Sequence, residues 1–186
     1  MPSLIFVGGS GCDVNLTEED SKHTPLHVAS TFGNKEFVDF LLACGSCDVN
    51  ARDKFGRTAL YLAVEHDHVD IVKTLTLHES CRVDIADTKG YTPLHLAAAD
   101  HFYVDAMRFF AEHHPQAVRG RDAEGRTLLH VAVEQGNVAI ARFLVSEGFC
   151  RADEPDKQGC TPLDLALERG AESSVRLLQA LSNVAM

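Results

Sequence analysis

Long apolar runs are missing from this chain. A membrane-spanning helix needs about 20 consecutive apolar residues, and the apolar cluster nearest the start, Leu4-Ile5-Phe6-Val7, stops at four. It is also too short for a signal-peptide core and has no basic residue ahead of it. Base is in deficit overall: 17 Lys and Arg stand against 27 Asp and Glu, a formal net charge of −10. Nothing in that balance supplies the counterion release that drives binding to a phosphate backbone, which argues against nucleic acid. Catalytic signatures are absent as well. There is no serine in a strand-turn-helix elbow, no glycine-rich phosphate loop and no pair of Cys-x-x-Cys elements for zinc. What remains is ordinary for a folded soluble chain, 45% hydrophobic and 24% charged over 186 residues.

What is present is a phrase repeated along the chain: Thr24-Pro25-Leu26-His27-Val28, Thr58-Ala59-Leu60-Tyr61-Leu62, Thr92-Pro93-Leu94-His95-Leu96, Thr127-Leu128-Leu129-His130-Val131 and Thr161-Pro162-Leu163-Asp164-Leu165. Its spacings are 34, 34, 35 and 34 residues. A fixed period in this range marks stacked repeats with nearest-neighbour contacts. Each position has its own chemistry. Thr is a good N-cap, because its hydroxyl accepts from the orphan N–H groups of the first turn. Pro follows where a lost N–H costs nothing. Small residues come next, such as Ala29-Ser30, Ala63-Val64 and Ala97-Ala98, and allow close helix approach. Gly33, Gly136 and Gly170 stand where the first helix ends, a left-handed cap position. Apolar residues then return at helical spacing, as in Phe37-Val38-Phe40-Leu41-Leu42, which predicts a second, amphipathic helix.

Asp-x-x-Gly precedes the threonine in four units: Asp53 to Gly56, Asp87 to Gly90, Asp122 to Gly125 and Asp156 to Gly159. It is turn chemistry. Together with the Thr-Pro-Leu-His phrase and endings such as Cys47-Asp48-Val49-Asn50, it resembles the ankyrin-repeat family from about Glu19 to Leu181. The resemblance implies an all-α solenoid of stacked helix-turn-helix units, with β-hairpin-like finger loops between them. The expected division is a partial preceding repeat at 1–18, repeats at 19–52, 53–86, 87–121 and 122–155, and a capping repeat at 156–186. A unit that starts midway suggests the C-terminal part of a longer array. The first repeat departs from the pattern, with Glu19 in place of the finger Asp and Lys22 in place of the turn Gly. The third is one residue longer, near His101-Phe102-Tyr103. Those aromatics either fold back on Met107 or a neighbouring repeat, or form an exposed binding bump.

Cysteines and histidines fit the repeat better than chemistry. Cys12, Cys47, Cys81 and Cys150 occupy the same place near the end of their units. Neighbouring units should lie roughly 8–10 Å apart there, too far for a disulfide, which needs Cα atoms within about 7 Å. They read as small fillers, and reduced thiols fit an intracellular protein. His27, His95 and His130 share a repeat position and read as ligands of the Thr cap and the adjacent finger. His66-Asp67-His68 and Asp100-His101 read as solvated turn residues, and His113-His114 before Pro115 as a helix end. No metal, no cofactor and no enzymatic activity are expected.

In ankyrin stacks the recognition surface is the concave side, made by finger tips and the exposed face of each first helix. Carried onto this sequence, the tips supply Lys54, Phe55, Arg57, Lys89, Tyr91 and Arg126. The first helices supply Phe32, Glu65, His66, Asp100, Glu134, Gln135 and Glu168, and the lengthened turn adds Phe102 and Tyr103. Phe55 and Tyr91 are aromatics where a turn needs none, and aromatics with Arg dominate binding hot spots. Glu65, Asp100, Glu134 and Glu168 recur once per unit, an arrangement that reads as an acidic stripe drawing in a basic segment. The finger segments hold six basic and six acidic residues, so the whole excess of acid lies elsewhere. The resemblance implies a monomeric, cytoplasmic or nuclear scaffold or adaptor that binds another protein, without nucleic acid or membrane. Alternatives are a regulatory or targeting module of a larger enzyme, such as a kinase or ubiquitin ligase, or a stoichiometric inhibitor. Asn50 matches a position hydroxylated in some ankyrin repeats.

Overall fold

The five threonine phrases start five helix pairs. A computed structural model describes residues 13–99 and 103–182, with the side chains of the last two left out. The expected partial repeat lies mostly outside these residues, as do Cys12, Asp100, His101 and Phe102. The first helices are α1 (Pro25–Thr31), α3 (Ala59–Glu65), α5 (Pro93–Ala99), α8 (Leu128–Glu134) and α10 (Pro162–Glu168). Their partners are α2 (Lys35–Ala43), α4 (Val69–Thr76), α6 (Val104–His113), α9 (Val138–Ser146) and α11 (Glu172–Ser182). A single turn, α7 (Pro115–Val118), follows the third pair. Each first helix packs on the next, α1 on α3 through α8 on α10, and the second helices form a parallel row from α2 to α11. The stack is therefore open, an all-α solenoid whose extensive contacts join neighbours.

The repeat phrase explains each start. The Thr24 hydroxyl accepts from the His27 N–H, while the Thr24 N–H donates to His27 Nδ1 at 3.1 Å, closing a capping box. Thr127 and His130 do the same, and Thr161 does so with Asp164. Because Nδ1 accepts, the proton sits on Nε2, which donates onward to the next finger: His27 to the Arg57 carbonyl and His130 to the Cys160 carbonyl, both at 3.1 Å. Burial pushes the pKa of both imidazoles down, so they stay neutral at neutral pH. Ala63, Ala97, Ala98, Ala132 and Ala166 are fully buried between first helices. A fully buried Leu such as Leu60, Leu94 or Leu129 contributes roughly 1.5–3 kcal/mol.

The second helix opens 11 residues after its threonine in four pairs, as from Thr24 to Lys35, and 12 after it in the third, from Thr92 to Val104. The added residue therefore falls between α5 and α6. Gly33, Gly136 and Gly170 end the first helices at φ 70, 72 and 63°, the left-handed cap that needs no Cβ. In the second pair Asp67 takes that conformation, at φ 56°.

The fingers are turns closed by their own aspartates. Asp53 N–H donates to the Arg57 carbonyl, and Asp53 Oδ1 accepts from the N–H groups of Phe55 and Arg57 at 2.9 and 2.8 Å. Asp87, Asp122 and Asp156 repeat the scheme. Among the described residues the regular pairing is limited to one isolated antiparallel bridge, Arg121 to Thr127. In the first finger the closing acid is Glu18, whose N–H donates to the His23 carbonyl, and not Glu19. Lys22 holds the glycine's conformation there, at φ 57°. A side chain in that region costs roughly 1–2 kcal/mol. Lys22→Gly should therefore raise the unfolding free energy by about 1 kcal/mol, part of the relief being offset by glycine's freedom in the unfolded chain. Urea unfolding of the two chains checks it, and an unchanged or lower midpoint overturns it.

Candidate functional site

Two of the expected binding arginines are anchored by several partners. Arg57 Nε lies 2.9 Å from Asp53 Oδ2, and its Nη1 lies 2.9 Å from Glu65 Oε2. Arg126 copies this with Asp122 at 2.8 Å and Glu134 at 3.1 Å. Its third nitrogen, Nη2, donates to the Tyr91 hydroxyl at 3.3 Å, and the guanidinium lies 5.7 Å from the Tyr91 ring centre. Arg169 adds a further bond to Glu134, at 2.6 Å. Burial raises the cost of ionising Asp53 and Asp122. Bonds from the arginine backbone and guanidinium outweigh it and hold both carboxyls below the ordinary value.

This geometry corrects the acidic stripe and the exposed reading of Tyr91, and selects the fold-back alternative for Tyr103. The acidic stripe is not a row of free carboxylates: Glu65 and Glu134 are each spent on arginines of the same face. Glu168 is exposed, and Asp100 lies outside the described residues. Tyr91 is half-buried and serves as a link to the next finger. Tyr103 is no bump; it is half-buried, and its hydroxyl donates to the Glu65 carbonyl at 3.0 Å, reaching back to the preceding pair. His68 does the same with the Thr31 carbonyl at 3.1 Å, and Asn137 with the Ala98 carbonyl at 3.2 Å. His68 is thus a connector between units, whereas His66 is exposed beside Glu65.

Two large aromatic side chains stand open to solvent on this face. Phe32, the C-cap of α1, is 74% exposed, and Phe55 on the second finger is 50% exposed. Lys54 Nζ and the Arg57 guanidinium lie 5.1 and 5.0 Å from the Phe55 ring centre, within cation–π range. Lys89, Gln135 and Glu168 complete the exposed set among the expected residues. Residues that sequence reasoning missed are connectors. Arg52 Nη2 reaches the Ala86 carbonyl and Arg121 Nη1 the Pro155 carbonyl, both at 2.9 Å. The signal was available, because each Arg immediately precedes a finger Asp.

Asn50 is likewise engaged. Its Nδ2 donates to the Ser80 carbonyl at 2.6 Å and its Oδ1 accepts from the Arg82 N–H at 2.8 Å. Asn15 forms the same bridge one unit earlier. Cys150 is buried and Cys47 and Cys81 are half-buried, as fillers should be, while Cys44 is exposed. Burial pushes the Cys81 and Cys150 thiols up to about 11, away from the reactive thiolate. Among the described residues no group of three His, Cys, Asp or Glu side chains is placed to hold a metal, and no helix is long and apolar enough to cross a membrane.

A sequence profile described as ankyrin repeats (3 copies) matches residues 2–87, 75–152 and 103–184. Rabankyrin-5 of Homo sapiens is 32% identical over 197 residues, covering 95% of this chain and 16% of that protein. The nuclear factor NF-kappa-B p105 subunit of Gallus gallus is 31% identical over 163 residues, covering 87% of this chain and 16% of its own length. Inversin of Homo sapiens is 34% identical over 185 residues, with 79% and 17% covered. The chain thus spans about a sixth of the length of these relatives.

Proposed function

This chain belongs to the ankyrin-repeat family, whose repeats mediate protein–protein interaction, and from that premise we propose that it is a scaffold or adaptor gripping a protein partner on its finger and first-helix face. The observation that carries the reading is the pair of exposed aromatics, Phe32 and Phe55, on a face where Arg57 and Arg126 are held by ion pairs. A rigid aromatic anchor fixed by neighbouring cations is what a hot spot requires, since little side-chain freedom is lost on contact. The partner meets Phe55 together with Lys54 and Lys89, not a bare acidic stripe. A basic segment would first have to displace Arg57 or Arg126 from Glu65 or Glu134, so its attraction is weaker than the count of acids suggests.

Affinity capture from the native lysate, with the wild-type chain and Phe32→Ala/Phe55→Ala compared, tests this. The variant should keep its helical circular dichroism and melting curve, because both rings are exposed. It should recover its main partner about tenfold less well, the scale of a modest hot spot. Undiminished capture overturns the finger-face reading.

A second reading has one observation in its favour: the three relatives described above are each about six times as long as the stretch they share with this chain. On that reading the repeats are a targeting or regulatory module whose partner surface serves a larger polypeptide. Sequencing the complete transcript separates the two. An open reading frame limited to the repeats favours the free-standing adaptor.

A further inference from the structure

Neighbouring units are tied on the finger side by recurring polar bonds, and one joint lacks them. Finger two donates Lys54 N–H to the Ser21 carbonyl of finger one, finger three donates Thr88 N–H to Phe55, and finger five donates Lys157 N–H to Glu124, at 2.8–3.0 Å. The matching bond from Ala123 N–H of finger four to finger three is not formed. The third residue of each first helix reaches the next finger through His27, Tyr61 or His130. His95, the same residue in α5, is 3% exposed and its Nε2 has no partner. Its Nδ1 already accepts from Thr92, so the orphan is a buried N–H donor.

The arginine bridge fails at this joint too. Arg52 and Arg121 cross to the following loop, but the residue in their place before finger three is Ala86. So does the asparagine bridge. The Asn15 and Asn50 side chains donate to the next loop, whereas the Asp84 carboxylate has no N–H to donate and accepts from Arg82. A cavity of about 700 Å³ lies at the same place, lined by Val83, Asp84, His95, His114, Pro115 and Arg121 among others. What still crosses the joint among the described residues includes the link from Tyr91 to Arg126, the Asn137 bond to Ala98, the Arg108 guanidinium 5.2 Å from the Phe143 ring centre, and the packing of α5 on α8 and α6 on α9.

We propose that this joint is a built-in hinge, at which the stack opens on its finger side between the third and fourth helix pairs. The helix contacts are the pivot. The fingers then divide into a block of three and a block of two, with Tyr91 and Arg126 as the latch between them. In a one-dimensional array each interface adds its own stability, so the joint with the fewest ties is the first to part. The inserted residue between α5 and α6 and the added turn α7 both belong to the unit on one side of this joint.

Hydrogen exchange on the full chain, wild type and Ala86→Arg, tests the hinge. The amides of Asp122 and Gly125 make the same bonds as those of Asp53 and Gly56. In the wild type they should nevertheless exchange about tenfold faster, the signature of local opening. Ala86→Arg restores the missing bridge and should slow them by a similar factor, leaving Asp53 and Gly56 unchanged. Equal protection of the two fingers in the wild type overturns the hinge. So does fast exchange that continues evenly through finger five and α11, which is fraying from the end of the stack. Fast exchange unaffected by Ala86→Arg overturns the missing ties as its cause. If that variant does not fold, the wild-type comparison between fingers decides alone.

Discussion

Phe110→Ala should cost about 3–5 kcal/mol of unfolding free energy, the usual range for emptying a fully buried aromatic site. Among the described residues Phe110 is the largest side chain wholly withdrawn from solvent. It lies in the hydrophobic core on α6, a helix that packs against α4, α5 and α9. The neighbours cannot collapse into the void without breaking their own contacts. For a chain of this size the loss corresponds to a melting temperature lowered by about 10 °C. The matched control is Phe40→Ala on α2, where the ring is 57% exposed and the change should stay within about 0.5 kcal/mol. Denaturant unfolding of both variants decides the point. Similar losses for the two would mean that the second-helix row is not the interior that its burial indicates.

How legible all this was in the sequence depends on whether the determining bond is local. The first helices start at Thr24, Thr58, Thr92, Thr127 and Thr161 because a cap acts within one turn, and the phrase announces it. The finger aspartates and the left-handed glycines are local in the same sense. Glu18 replacing Glu19 as the closing acid shows the limit, since the two are equivalent until the backbone route to His23 is known. The exposed aromatic Phe55 was legible because a turn gives it nothing to pack on. The pairing of Glu65 with Arg57 was not, although the two are eight residues apart, because a helical count places them on different elements. Tyr103, His68 and Asn137 sit at one structural position with three different side chains, and only their shared reach to the preceding helix identifies them. The turn α7 was hidden for another reason: Pro115 signals a helix start as well as a helix stop, and the repeat pattern favoured the stop.

Asp53→Ala should be about as damaging as the core substitution, for an electrostatic reason. The Asp53 side chain is 0% exposed and accepts from Phe55 N–H, Arg57 N–H and Arg57 Nε, with His23 Nε2 at 3.3 Å as a fourth neighbour. Deleting it leaves two finger N–H groups and a half-buried guanidinium short of an acceptor. Breaking such a pair by removing one partner costs about 3–5 kcal/mol. Asp53→Asn keeps an acceptor oxygen and should lose less, about 1–3 kcal/mol. The acid branch of the stability curve separates charge from shape. Burial alone would raise the Asp53 carboxyl, but the bonds from Arg57 and Phe55 prevail and hold it below its ordinary value of 3.8. A lowered acid stabilises the fold fully above its unfolded pKa, and that contribution disappears as pH falls from about 4 through the folded value. Asp122 contributes in the same window. His95 acts earlier: burial pushes its pKa down to about 4 from 6.5, so the folded state resists its protonation and stability begins to fall between those values. Unfolding free energy measured from pH 7 to pH 3 should therefore decline in two stages. Asp53→Ala should keep the stage that begins near pH 6.5 and flatten part of the one below pH 4. An acid branch as steep in the variant as in the wild type would show that the carboxylate contributes shape to the finger but not charge.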